Sequence, residues 1–501
     1  MSSLISRRRS HTILLAALAL VPLAFALRAA PASASPDQIS IMMDDNLLLY
    51  SGNAVRYTTL ERMKNLGVVM VRATLLWSDV ARGTKDPATH HRFDPTKPAD
   101  YPRGAWTNYD QLVEDAKALG MIVYFDVTGP GPAWAMGTTS DPVMKASFMP
   151  NVNAFGAFVK AVGTRYSGSY HGLPAVKYWA IWNEPNQVGW LSPQGVYNRT
   201  LHAILPYSPI LYRKLFYAAR RSLNQTGHHS DTVLAGETAP LGSPPQNGRT
   251  PMRPALFIRE LFCVNSHLQP YTGIQASVRG CNIFKRDGPL QASGWAHHPY
   301  TKAEPPTWID PSRDSIVIGD ISRLPKLLNA IAANTHRVAA SLPIWITEMG
   351  YETNPPDPYR GVSLADQAAY INETDYMAYK QPSVVAVTQF LYEDAGPNKA
   401  HKKGTRGYWD TYQSGLEFGP GNGVEPAGTP KPAYTAYVMP IWIAQAGSAA
   451  DPQLELWAQV RFRAFDVTVP EDAYAVPGTW RAIWGGSNRA SYESREVAYP
   501  G

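Results

Sequence analysis

The chain has 501 residues, 45% hydrophobic and 17% charged, with a formal net charge of +6. This composition excludes a disordered or low-complexity protein and is ample for a large buried core. Beyond the first 34 residues the nearest approach to a basic run is His401-Lys402-Lys403, so neither nucleic acid nor a stable membrane association is expected of the processed chain.

The first 34 residues stand apart. Arg7, Arg8 and Arg9 precede an apolar run from Ile13 to Leu27 and the small-residue segment Ala32-Ser33-Ala34, the three regions of a secretory signal peptide. The run is short for a bilayer-spanning anchor. Four arginines and no acid lie in this leader, so the processed chain carries about +2, and its expected location is extracellular or in the cell envelope. Cys263 and Cys281 are the only cysteines, and in an oxidising compartment the simplest expectation is one disulfide. No second pair completes a zinc site.

From residue 35 onward, apolar strand-like runs alternate with helix-like segments. Strands are expected at residues 39–43, 68–74, 121–127, 176–182, 232–235, 293–297, 343–347 and 384–391. Between them, Phe155, Phe158, Val159, Val162 and Tyr166 recur at the spacing of one helical face. Gly67 and Gly120 follow helix-like segments where a left-handed residue ends a helix. Eight apolar strands separated by helices predict a closed parallel (β/α)8 barrel over residues 35–445. The segments after the strands at 75–108, 128–150, 185–209 and 237–291 are long and rich in Pro, Gly and aromatic residues. In a barrel they form the loops of the C-terminal face, where sites are built. Beyond "GPGNGVEPAGTPKPAY" the pattern changes: "LELWAQVRFRAFDVTV" alternates with period two, which predicts a small β-rich appendage over 446–501.

Two acids hold comparable positions. "YWAIWNEPN" puts Glu184 just after the fourth strand and "PIWITEMGY" puts Glu348 at the end of the seventh. Residues at the C-terminal ends of barrel strands read as catalytic, and two carboxylates facing one cleft can hydrolyse a glycosidic bond. In these motifs the chain resembles the retaining glycoside hydrolases of clan A, (β/α)8 enzymes with glutamates after strands four and seven, and is similar in layout to families 5 and 39. The resemblance covers residues 40 to 440. It implies Glu184 as acid/base and Glu348 as nucleophile, and a poly- or oligosaccharide or glycoconjugate as substrate. It further implies Arg72 of "VRATLLW" as a partner of the nucleophile, Asn183 at the sugar 2-hydroxyl, and His298 and Tyr300 of "HHPY" beside them. No cofactor is implied. The tryptophan common in the clan after strand eight is absent; "TQFLYED" offers Gln389 or Tyr392 for that part of the sugar floor.

Trp77, Trp134, Trp190 and Trp308 fall in the loops above the barrel, where rings can stack on sugars. Three His-His pairs, at 90–91, 228–229 and 297–298, suggest metal binding only superficially, because adjacent strand residues point to opposite faces. No catalytic metal is expected. The alternative function is a non-catalytic carbohydrate-binding protein on the same kind of barrel.

Overall fold

A computed structural model describes residues 38–445 and the strand residues 454–460, 480–486 and 495–497. The expected leader lies outside the described residues. Eight parallel strands close into a barrel: β1 (Ile39–Met43), β2 (Met70–Leu76), β3 (Ile122–Thr128), β4 (Tyr178–Ile181), β5 (Thr232–Thr238), β6 (Gly294–His297), β7 (Ile344–Met349) and β8 (Val384–Phe390). Neighbours in sequence are neighbours in the ring, and β1 pairs with β8 to complete it.

The strands read as continuous apolar runs because each is buried on both faces. One residue from each strand builds a layer inside the barrel: Ile41, Met70, Tyr124, Ala180, Leu234, Ala296, Trp345 and Ala386. Large and small side chains combine there to fill the lumen. Residues one step out of phase, such as Val71, Ala73 and Leu75 of β2, join the larger core between strands and helices.

The helices follow from local signals. α1 (Asn53–Asn65) and α2 (Thr107–Ala118) both run out into left-handed glycines, Gly67 at φ +84° and Gly120 at φ +71°, the positions expected from the sequence. α3 (Val152–Arg165) starts at Asn151, whose side chain accepts from the backbone N–H groups of Asn153 and Ala154, and buries Phe155, Phe158, Val159 and Val162. α4 (Ser208–Gln225) lies between β4 and β5.

Strand positions agree with expectation to within a few residues, with one consequential difference. β5 continues past residue 235 to Thr238 and carries Glu237 into the barrel mouth. A glycine at 236, at φ +112°, interrupts the apolar run there, and the backbone kinks rather than stops.

The C-terminal sheet begins earlier than expected, at β9 (Ile441–Gln445), and continues through β10 (Leu454–Val460), β11 (Trp480–Gly486) and β12 (Arg495–Val497). β10 and β11 are parallel and the other two pairs antiparallel. The remainder of the long alternating segment, after Val460, lies outside the described residues. The sheet meets the barrel at α5 (Leu364–Tyr379): Trp457 packs on the rings of Tyr376 and Tyr379, and the Asn372 amide donates to the Ile441 carbonyl at 3.1 Å.

The disulfide is present, Cys263 to Cys281 with Cα atoms 5.9 Å apart. The loop that it closes packs around Arg213 and Glu260 on the barrel's flank, and none of its residues lines the cleft described next.

Candidate active site

The C-terminal ends of the strands surround a cleft of about 1280 Å³. Arg72 stands at its floor, fully buried on β2 and facing inward two residues above Met70. One guanidinium nitrogen donates to Glu348 at 2.9 Å; the other reaches Asn183 at 2.9 Å, Asp126 at 3.1 Å and Glu237 at 3.1 Å. Such a charge is tolerable in a barrel lumen only because carboxylates surround it.

Glu348, near the end of β7, is 8% exposed. It accepts from Arg72 through Oε1 and from the Tyr300 hydroxyl, at 3.2 Å, through Oε2. Burial pushes its pKa above the ordinary carboxylate value, while His298 and Arg72 pull it back. Glu184 follows β4 in a left-handed conformation at φ +34°, two residues after Trp182 at φ +71°. Non-glycine residues held there store strain of about 1–3 kcal/mol each, a pattern typical of functional sites. Facing oxygens of Glu184 and Glu348, together with a ring nitrogen of His298, lie within 4.8 Å of one another.

His298, directly after β6, is fully buried. Its Nδ1–H donates to Glu184 at 3.1 Å and stands 3.5 Å from Glu348, while its Nε2–H donates to Glu237 at 2.6 Å. Burial alone would depress its pKa, but the carboxylates of Glu348, Glu184 and Glu237 outweigh it and hold the pKa at about 10. The imidazole is therefore an imidazolium with both nitrogens donating. Glu184, His298 and Glu348 each offer one ligand-type atom within 4.8 Å of the others, and the hydrogen bond from His298 to Glu184 contributes to that closeness. His297 points out of the barrel, to the Thr238 hydroxyl and the Ile316 carbonyl, and its pKa is depressed by burial to about 4. The two histidines of this pair thus face opposite sides, as strand alternation requires.

The structure brings together Arg72, Asn183, Glu184, His298, Tyr300 and Glu348. Three other candidates lie elsewhere. Gln389 pairs in register with Met42, which faces the helices, and donates to the carbonyls of Phe390, Leu391 and Ser414 away from the cleft. Tyr392 is buried with its hydroxyl on Glu417 at 2.7 Å. The ring at the end of the eighth strand belongs instead to Phe390, in register with inward-facing Met43 and packed edge-on against Tyr300 and Tyr412. A one-residue change of phase accounts for the difference. Trp134 is spent on loop packing: its indole N–H donates to Thr84 at 3.0 Å and its ring meets Trp77 and Phe93 edge-on. Trp77 is fully buried, whereas Trp190 and Trp308 do line the cleft.

Sequence reading missed Glu237 and Asp126. Glu237 is fully buried and accepts from Arg72, His298, Thr347 at 2.8 Å and Tyr124. Burial alone would raise its pKa; Arg72 and His298 override this and hold it near 2. "AGETAP" matches no motif, and the only available signal was an acid at the end of a fifth apolar run. The cleft rim carries further carboxylates, among them Asp44, Asp45, Glu352 and Glu393.

No family model matches this sequence, and no curated protein matches it. Solved structures similar to it include a family 39 glycoside hydrolase from the gut symbiont Bacteroides cellulosilyticus WH2, at 15% identity and a TM-score of 0.43. That alignment covers 82% of this chain, which spans 64% of the other. A monomeric β-xylosidase from Caulobacter crescentus CB15 is 16% identical with a TM-score of 0.49, over 91% of this chain and 81% of that one. A glycoside hydrolase of subfamily 5_18 from Streptomyces cattleya, in complex with GlcNAc, is 15% identical with a TM-score of 0.45, covering 81% and 80%.

Proposed function

We propose that this protein is a retaining O-glycoside hydrolase, exported from the cell, that cleaves a carbohydrate by double displacement. The observation that carries the reading is the pair of carboxylates on separate strand ends, Glu184 after β4 and Glu348 on β7, with oxygens within 4.8 Å across one cleft. Direct attack by one carboxylate requires such closeness; an inverting pair stands roughly 6.5–9.5 Å apart to admit a water.

In the first half of the reaction Glu348 attacks the anomeric carbon while Glu184 gives its proton to the departing oxygen. Arg72 and Tyr300 hold Glu348 in line, and Asn183, itself fixed by Arg72, is placed for the sugar 2-hydroxyl. In the second half Glu184 takes a proton from water, which attacks the same carbon and releases Glu348. Phe390, Tyr412, Trp190 and Trp308 offer apolar faces on which sugar rings can stack. The disulfide supports an oxidising destination for the chain.

The test is a panel of 4-nitrophenyl glycosides followed by cell-wall and plant polysaccharides, with the first-formed anomer identified by NMR. Hydrolysis with retained configuration is expected. Inverted product would overturn the double displacement, and saturable sugar binding without turnover would favour the non-catalytic alternative.

A further inference from the structure

We propose that Glu237 is a positioning residue that fixes His298 as an imidazolium, and that the His298 Nδ1–H follows the negative charge as it passes between Glu348 and Glu184. The inference rests on the double-displacement reading.

The geometry is specific. Glu237 places one oxygen, Oε2, on His298 Nε2–H, Arg72 and Thr347, and the other on the Tyr124 hydroxyl. All of its hydrogen bonds are spent inside the barrel, and it is absent from the cleft lining, so it does not touch substrate. His298 is thereby anchored from behind, with its other N–H facing the catalytic pair at 3.1 Å from Glu184 and 3.5 Å from Glu348.

The groups facing His298 come from every strand end around it: Glu184 from β4, Glu237 from β5, Tyr300 beside it after β6 and Glu348 from β7. Behind these stand Arg72 on β2 and Asp126 on β3. Burial raises Asp126 above the ordinary carboxylate value, and Arg72 pulls it back. Arg72 and His298 are the two cations set among these carboxylates. On glycosylation, a bond forms between Glu348 and the anomeric carbon, the leaving oxygen departs with the bonding pair, and the Glu184 proton goes to it. The negative charge on Glu348 vanishes into an ester while one appears on Glu184. On deglycosylation, water gives a proton to Glu184 and its oxygen to the sugar, and the ester bonding pair returns to Glu348. The charge in the site is constant; only its position changes, and Nδ1–H lies between the two positions.

Imidazole NMR of the whole protein and kinetics of Glu237→Gln test this together. With His298 assigned by signal loss in His298→Gln, the parent should show both ring N–H groups at pH 8, and Glu237→Gln should lose one. On an aryl glycoside that the parent cleaves, Glu237→Gln should lower kcat about 10²–10³-fold, the scale of removing one preorganised electrostatic contact. It should also acquire a new ionisation between about pH 5 and 8, with activity falling as pH rises through it, because the imidazole then loses its proton in that range. A neutral His298 in the parent at pH 8 overturns the proposal even if the variant fails to fold. A Glu237→Gln enzyme with parental kcat and pH profile also overturns it. If Glu348→Gly keeps parental activity, the double displacement itself falls; if that variant is dead and Glu237→Gln is not, only the role of Glu237 falls.

Discussion

Two layers stacked inside one barrel obey opposite rules. The lower, at Ile41, Met70, Tyr124, Ala180, Leu234, Ala296, Trp345 and Ala386, is apolar apart from the tips of Tyr124 and Trp345. The upper, about two residues further along the same strands, holds Arg72, Asp126, Glu237, His298 and Thr347, all with 0% exposure. Burying a Leu or Met side chain stabilises by about 1.5–3 kcal/mol. Burying an ion costs several kcal/mol before its partners repay it. Equal burial therefore means different things a few ångströms apart: the lower layer stabilises the barrel, and the upper layer, through Arg72 and His298, holds the Glu348 and Glu184 carboxylates that line the cleft. Left-handed non-glycine residues at Trp182, Glu184, Glu237 and Leu391 mark the same division, since they occur where β4, β5 and β8 reach the mouth.

The comparison breaks if the upper layer can be altered without loss of chemistry. Replacing Glu348 with Gly should abolish turnover, and azide should restore part of it as a glycosyl azide of inverted configuration, identified by NMR. Replacing Glu184 with Ala should cost about 10²–10⁴-fold on substrates with poor leaving groups and little in the first step on activated ones. Azide should then accelerate turnover and yield the retained anomer. The same anomer from both variants would show the two roles to be misassigned.

The lower layer should respond in the other currency. Leu234→Ala ought to lose about 2–5 kcal/mol in denaturant unfolding, with kcat/KM of the folded enzyme nearly unchanged. A large drop in kcat/KM at full folding would show that the layers are coupled. Removing Cys263 and Cys281 together serves as a control remote from both; about 3 kcal/mol should be lost on the chain-entropy model with kinetics intact.

The smallest effect is a pH dependence confined to the mouth. Burial raises Asp44 to about 7, Glu352 to about 8 and Glu393 to about 7, while carboxylate neighbours overcome burial to hold His298 at about 10. Each folded-state value lies above its unfolded one, so each contribution is complete at low pH and is lost as pH rises towards the folded value. His297 is depressed to about 4 and works in the opposite sense, but only below its unfolded value near 6.5. The melting temperature should therefore fall between pH 6.5 and 8. A flat or rising curve in that window would contradict the burial of these groups.

Much of this was legible in the sequence, for identifiable reasons. Strands covered on both faces announce themselves as apolar runs, and Gly67 and Gly120 mark helix ends because few other residues accept φ near +80°. Glu184 and Glu348 could be found because each ends such a run inside a motif. Glu237 could not, because its importance lies in four partners drawn from β2, β3, β7 and the end of β6, none near it in sequence. Phe390 was displaced by Gln389 because the phase of a strand at its last residue depends on pairing, here with Met43, that composition does not disclose.

The β1–β8 seam bears on how the chain is made. Gln38 donates to Val384, Ser40 shares a hydrogen bond with Tyr437, and the Glu393 N–H meets Asp44, joining partners 346, 397 and 349 residues apart. Each of the other strand pairs can form soon after its second member is synthesised. This one must wait while some 350 residues are translated, on the order of tens of seconds at ~5–20 residues per second. Throughout that interval β1 presents an unpaired edge, the kind of surface that invites wrong partners. For this barrel the hazard lies in the order of synthesis, and any factor that shields the nascent amino-terminal strand would act on yield without touching the finished molecule.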